Sequence, residues 1–495
     1  MRAHDTRTDV QASGDEMAAK DVPREATGRP LPRRRAGPWG GVCLAIVGAF
    51  LTGSAGVAAE GWQAGAARVS ITPEEPVWMA GYAARTGPSE GALSELHARA
   101  LVLGDARGRR LVVVTLDLIE LPESLRDRIA AMAADRHGLA PDELLVNVSH
   151  THGGPMVSSR TIADWGIDPV WGRRAEAYVD FLVERLDDAI RQALAGRAPA
   201  TLGFSAARCG FAMNRRLPTP EGMRLAPNPD GPVDHDVPVL RILAADGTLR
   251  AVLFGYACHA TALGPTRMLH GDYPGIALDR LERDHPGSVA LFLAGCGGDQ
   301  DPSPRRDEAD ALANGEALAA AVEAALGGAP LPLPARLEAS QRPCALAFAD
   351  LPPRAVLEAR AASPDGFVAR HARFVLDAWP APGDRPPDYP LPVHVVQFGA
   401  ALTLVALGGE PMADYALRLK RELATEGGAV WVAGYSNLVH AYVPTKRVLA
   451  EGGYEGTEAV IYQSLPGPFR DDCEERIVTA VRRDVEAARA AAAAP

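Results

Sequence analysis

Several short runs, in which apolar residues follow one another without alternating, constrain this chain most. Leu111-Val112-Val113-Val114-Thr115-Leu116 and Leu144-Leu145-Val146-Asn147-Val148 are two of them, and Ala251–Ala257 and Val289–Leu293 look similar. A strand with one face in water alternates apolar and polar residues, because successive side chains point to opposite faces. A run that lacks the alternation needs cover on both faces. Helical segments supply that cover: Tyr178, Leu182, Leu186 and Ile190 recur every four residues, and the pattern stops at Gly196. Val393–Phe398 and Leu402–Leu407 flank Gly399-Ala400-Ala401 and read as a hairpin. Ile477, Val481 and Val485 put one apolar stripe on a terminal helix. The expected fold class is α/β: one large domain over residues 60–495, with mixed β-sheets flanked by helices.

The first 59 residues are a different material. They are polar to residue 37 and contain Arg33, Arg34 and Arg35; an uncharged stretch from Gly41 to Ala59 follows, ending in small residues before Glu60. A basic segment, an apolar segment and small residues at a cleavage point describe an export signal, with Met17 as an alternative start. The second reading is an uncleaved anchor, because the stretch approaches spanning length. The expected location is therefore periplasmic or secreted. No other stretch approaches about 18 uninterrupted apolar residues, so the body is expected to be soluble.

Lys and Arg number 51 against 62 Asp and Glu, a net charge of −11, and no basic run lies in the body. That balance excludes an electrostatic grip on nucleic acid. Of six cysteines, Cys43 lies in the signal segment, and Cys209, Cys258, Cys296, Cys344 and Cys473 show no CxxC spacing. A zinc ribbon is excluded, and a disulfide framework is not expected.

The residues able to do chemistry follow the strands. Ser149-His150-Thr151-His152-Gly153-Gly154-Pro155 comes directly after the run at 144–148. In extended backbone, residues two apart share a face, so His150 and His152 can converge on one ion, or one binds it while the other handles protons. A structural histidine pair is the alternative. Ala257-Cys258-His259-Ala260-Thr261 also follows a strand. There Cys258 and His259 face opposite ways; Cys258 reads as packing, and His259 as a ligand or a satisfied core histidine. Gly408-Gly409-Glu410-Pro411 offers a carboxylate at a glycine-opened strand end, or else a first-turn carboxylate for a helix over 411–424. Val430–Tyr435 is a further strand, followed by Asn437, His440, Tyr442 and, twelve residues on, Tyr454-Glu455-Gly456. In open α/β sheets such strand ends share one rim. Nitrogen and oxygen donors without thiolate fit a catalytic zinc with an exchangeable position. GxSxG, P-loop and HExxH motifs are absent from the sequence.

These motifs, with Met79-Ala80-Gly81-Tyr82, Thr115-Leu116-Asp117 and Gly297-Gly298-Asp299, resemble the neutral/alkaline non-lysosomal ceramidases, in order from about Val69 to Gly456. The resemblance covers the catalytic domain and not the family's C-terminal immunoglobulin-like domain. It implies an exported or membrane-associated zinc amidase cleaving the N-acyl bond of a lipid-like substrate, with peripheral membrane contact. It implies zinc held by His150, His259, Glu410 and Tyr442, and catalytic roles for His152, Arg215 and Tyr454. His152 would move the proton, while Arg215 and the Tyr454 hydroxyl would hold the carbonyl oxygen as it becomes an oxyanion. A surface ion pair is the bland reading of Arg215. One departure stands out: the family's Gly-Asp-Val-Ser-Pro reads Gly298-Asp299-Gln300-Asp301-Pro302 here, with Asp301 at the serine position. The expected function is zinc-dependent hydrolysis of a linear amide; the alternative is a protein of the same fold that binds a lipid or amide without turnover.

Overall fold

The computed structural model describes residues 61–381 and 383–493. The export-signal segment expected over residues 1–59 lies outside the described residues. Two sheets lie back to back between helices. The larger, nine-stranded sheet runs Val289–Ala294, Leu249–Tyr256, Asp236–Ala244, Ala198–Arg208, Trp62–Ser70, His97–Gly104, Arg110–Leu116, Leu144–Val148, with Leu331–Leu333 added alongside Ala198–Arg208. The smaller is Leu337–Leu346, Tyr389–Phe398, Leu402–Leu407, Ala429–Ala433.

The unalternating runs now have their cause. Along Arg110–Leu116, Val112, Val114 and Leu116 pack with the helices Glu123–His137 and Pro169–Ala195 through Leu125, Ile129, Leu182 and Leu186. Leu111 and Val113 pack the other way, with Leu402, Leu404 and Trp431 of the second sheet. The second sheet repeats the pattern, its Val393, Val395 and Leu407 meeting the helices Ala413–Leu423 and Cys473–Ala493. The result is four layers, helix–sheet–sheet–helix, with an apolar core at each junction. Helix Pro169–Ala195 carries its own start signal: Asp168 accepts from the Val170 amide at 2.8 Å, and proline takes the first position. The hairpin around Gly399–Ala401 forms in antiparallel register, Phe398 opposite Leu402.

The open-sheet rim does not form as expected. The strands leading to His150 and His259 sit near opposite edges of the larger sheet, and run in opposite senses along it. Twist reconciles them: a strand turns about 20–25° from its neighbour, so the sheet's end strands are rotated by about half a turn. The C-terminal ends of Leu144–Val148 and Val289–Ala294 therefore meet. Asn147 joins them, its Oδ1 accepting from the Ala294 amide at 2.9 Å while Nδ2 donates to the Gly434 carbonyl at 2.8 Å and Ser436 Oγ at 3.1 Å. One fully buried side chain thus ties three strand ends from two sheets. The five cysteines among the described residues are free and buried. Among the described residues, no helix is long and apolar enough to cross a membrane.

Candidate metal centre

Past Val148 the chain turns through a left-handed conformation at His150, φ 58°. The pleat rule for residues two apart therefore does not operate here. The turn, not extended backbone, brings the rings of His150 and His152 edge to face at 5.1 Å. Such a φ on a non-glycine residue costs on the order of 1–3 kcal/mol and persists where the surroundings over-determine it. His150 Nδ1 lies 2.7 Å from the Ile119 carbonyl, and its ring lies 4.6 Å from that of Tyr435.

His259 is held the same way, Nδ1 at 2.8 Å from the Gly297 carbonyl. Each imidazole commits its Nδ1 hydrogen to the main chain, which sets the tautomer and leaves a lone pair on Nε2. Both Nε2 atoms face one carboxylate oxygen, Glu410 Oε2, at 3.1 Å from His150 and 3.4 Å from His259. That oxygen is buried and has no hydrogen-bond donor. Lone pairs facing one another repel, and a cation between them removes the repulsion. The donor set fits a metal ion. His152 stands beside that set: ring nitrogens of His150, His152 and His259 all lie within 4.8 Å of one another.

Glu410 owes its place to a two-residue strand, Glu410–Pro411, paired in parallel with Tyr442–Val443 so that Glu410 stands beside Tyr442. Gly409 makes the approach with φ 66°; a Cβ there would lie 2.7 Å from the Ala441 carbonyl. The first-turn alternative for Glu410 fails, because Glu410–Pro411 is a strand ahead of helix Ala413–Leu423, whose first amide is taken by Asp299 Oδ1 at 2.9 Å. The Tyr442 hydroxyl lies 3.4 Å from His259 Nε2 and accepts from Arg215 Nη2 at 3.0 Å. Burial pushes the Tyr442 phenol well up, and the Arg215 cation opposes that rise.

Arg215 is not a surface ion pair. It is buried, with Nε on Glu455 at 2.7 Å, Nη1 on Asp301 at 3.1 Å and Nη2 also on the Gly298 carbonyl at 2.9 Å. Expected to hold a substrate carbonyl, it instead stands behind Tyr442 and does not line the cavity in front of it. Asp301 lies there too, bridging Arg215 and Arg305, the latter at 2.8 Å. Tyr454 does line the cavity, its ring 5.6 Å from that of Tyr442, and burial raises its phenol.

The cavity measures about 360 Å³. His150, His152, Glu410 and Tyr442 line one part, and Ala80, Ala83, Ile119, Met156, Trp165 and Leu225 give it apolar walls. Both ring nitrogens of His152 are buried and unpartnered. Burial, then the neighbouring His150 and His259, push its pKa well below the ordinary histidine value, so the imidazole is neutral. Its ring occupies the space that Gly81 leaves: at φ 101°, a Cβ on Gly81 would stand 2.5 Å from His152 Nδ1. Sequence reasoning missed Gln463, whose Nε2 donates to Glu410 Oε1 at 3.3 Å, and no local signal marks it. It also missed Asn147, although a polar residue inside a doubly covered strand is such a signal.

Comparison with known proteins gives the chain its family. The family model described as neutral/alkaline non-lysosomal ceramidase, N-terminal, matches residues 62–328, which contain His150, His152, Arg215 and His259. A neutral ceramidase of Drosophila pseudoobscura pseudoobscura is 25% identical over 272 residues, 51% of this chain and 38% of that protein. The crystal structure of neutral ceramidase from Pseudomonas aeruginosa superposes with a TM-score of 0.67 at 20% identity, covering 87% of this chain and 74% of that one. A ceramidase complexed with C2 gives 0.65 at 20% identity, over 86% and 76%. The last two establish the shared fold. On the family match across more than half its length, the chain belongs to the neutral/alkaline non-lysosomal ceramidases.

Proposed function

We propose that this protein is a zinc-dependent hydrolase of a linear N-acyl amide with a lipid-like acyl chain. The observation that carries the reading is the meeting of His150 Nε2, His259 Nε2 and Glu410 Oε2 beside an apolar-walled cavity. In this reading His150, His259, Glu410 and Tyr442 hold zinc, which when bound supplies the Lewis acidity that makes hydroxide accessible near neutral pH. His152, neutral and unpartnered, accepts the proton released from water and passes it to the leaving amine. The Tyr454 hydroxyl donates to the carbonyl oxygen as negative charge develops, a contact typically worth about 3–4 kcal/mol. Arg215 acts one residue further back. Its donation to the Tyr442 hydroxyl favours the phenolate a cation needs, and Glu455 and Asp301 fix its direction. Export belongs to the same proposal and is tested by sequencing the N-terminus of the secreted or periplasmic protein, expected just past Ala59.

A panel of N-acyl amides of graded chain length tests the reaction. Cleavage that is lost in His150→Ala and Glu410→Ala, together with bound zinc, is the expected result. Binding of the panel with no cleavage would favour the non-catalytic alternative, for which Asp301 at the serine position is the motivating observation.

A further inference from the structure

The cavity holds two polar residues that the proposed reaction does not use. Leu121 and Val439 form an antiparallel bridge, with Leu121 N to Val439 O at 3.1 Å and Val439 N to Leu121 O at 2.9 Å. Glu120 and His440 flank that bridge, stand opposite each other and project to one side of it, as cross-strand partners do. Both line the cavity that His150, His152 and Glu410 line. Glu120 directly follows Ile119, whose carbonyl accepts from His150, so its backbone is anchored to the metal centre.

The pair is incomplete as it stands. Glu120 Oε2 and His440 Nδ1 are 3.8 Å apart, too far for a hydrogen bond. Glu120 Oε1 is buried with no partner, and a buried polar oxygen left without a donor is costly. Among the described residues no lysine or arginine lines the cavity. An ammonium group has three donors and no acceptor, which complements two carboxylate oxygens and one imidazole lone pair. A second cavity of about 620 Å³ shares His440 and Thr161 with the first, and its lining sets Glu123, Asp127, Asp164, Glu176 and Asp388 against one cation, Arg160. Its character favours a cation over an anion at this end.

We propose that Glu120 and His440 form a subsite for a cationic amine carried by the substrate away from the scissile amide. The inference rests on the hydrolase reading above and narrows its substrate to acylated diamines and related amino-bearing amides. It is tested by titration calorimetry on metal-stripped full-length protein, so that affinity is read without turnover. The probes are N-dodecanoyl-1,4-diaminobutane and N-dodecanoyl-butylamine, which differ by one ammonium group. The expected result is about tenfold tighter binding of the diamine derivative, as a charge-assisted hydrogen bond provides. Glu120→Gln should erase the preference while leaving the affinity for the butylamide unchanged, and His440→Ala should reduce it. Equal affinities in the wild type, binding of neither probe, or a preference that survives Glu120→Gln would each overturn the subsite. Turnover of both probes by zinc-loaded protein is a separate readout: its absence alongside the expected binding preference would sink the hydrolase reading and leave the subsite standing.

Discussion

The position of His152 depends on a glycine in the cavity wall. Gly81 leaves the volume its ring fills, at a φ that side chains rarely adopt. Gly81→Ala is expected to displace the imidazole and to lower kcat by about a hundredfold, the scale of a misplacement near 1 Å. Zinc content should stay unchanged, because Gly81 contacts His152 and not the His150–Glu410 pair. Metal analysis beside steady-state kinetics separates the outcomes, and loss of zinc with activity would contradict this division of labour. Arg215 makes a second case. Arg215→Met would leave Asp301 to Arg305 alone and Glu455 to Arg216 alone, and the lost charge-assisted hydrogen bonds are expected to destabilise the fold by about 2–3 kcal/mol in urea titration. At this scale the sequence was informative: His150, His152, Glu410, Tyr442 and Tyr454, all named from motifs, line one cavity, and His259 and Arg215 reach Glu410 and Tyr442. What it could not give was direction. Arg215 points to Tyr442 because Glu455 and Asp301 pull it there, and those partners lie 240 and 86 positions away.

Single elements decide whether the distant strand ends meet. Asn147 joins Leu144–Val148 to Val289–Ala294 and to the residues after Ala429–Ala433, and so sets the framework behind both His150 and Glu410. Asn147→Ala would strand the Ala294 amide and the Gly434 carbonyl without those partners. A loss of about 2–4 kcal/mol in chemical denaturation is expected, with weaker zinc binding; a change below about 0.5 kcal/mol would show that the strand ends hold without it. The strands and long helices were legible because each carries a strong period or an unbroken apolar run. The pair Arg354–Ala361 and Gly366–Ala378 was not: Leu357 is the one buried residue of the first, too little to make a stripe. The sheet's topology was equally hidden, because Trp62 pairs with Ala200 across 138 positions and half a turn of accumulated twist brings the sheet's ends together.

The whole molecule carries histidines that burial keeps neutral, and these set its acid limit. His394 and His270 are both lowered to about 4 by burial, against roughly 6.5 in an unfolded chain. The unfolded state therefore takes up protons first as pH falls. Stability from these groups is complete above about pH 6.5, declines through the window below it and levels off near pH 4. Each group accounts for about 3 kcal/mol over that window. Thermal unfolding of metal-stripped protein should show the decline, and His394→Gln should flatten part of it; a variant curve parallel to the wild type would contradict this origin. The central claim is that four side chains spread over almost three hundred positions hold one metal ion. Zinc titrated into stripped protein, with bound metal and amide hydrolysis measured together, tests it most directly. The ligand set predicts activity rising in proportion to zinc and saturating at about one ion per chain. Full activity in stripped protein, or undiminished zinc binding by a His150→Ala, Glu410→Ala double variant, would contradict it.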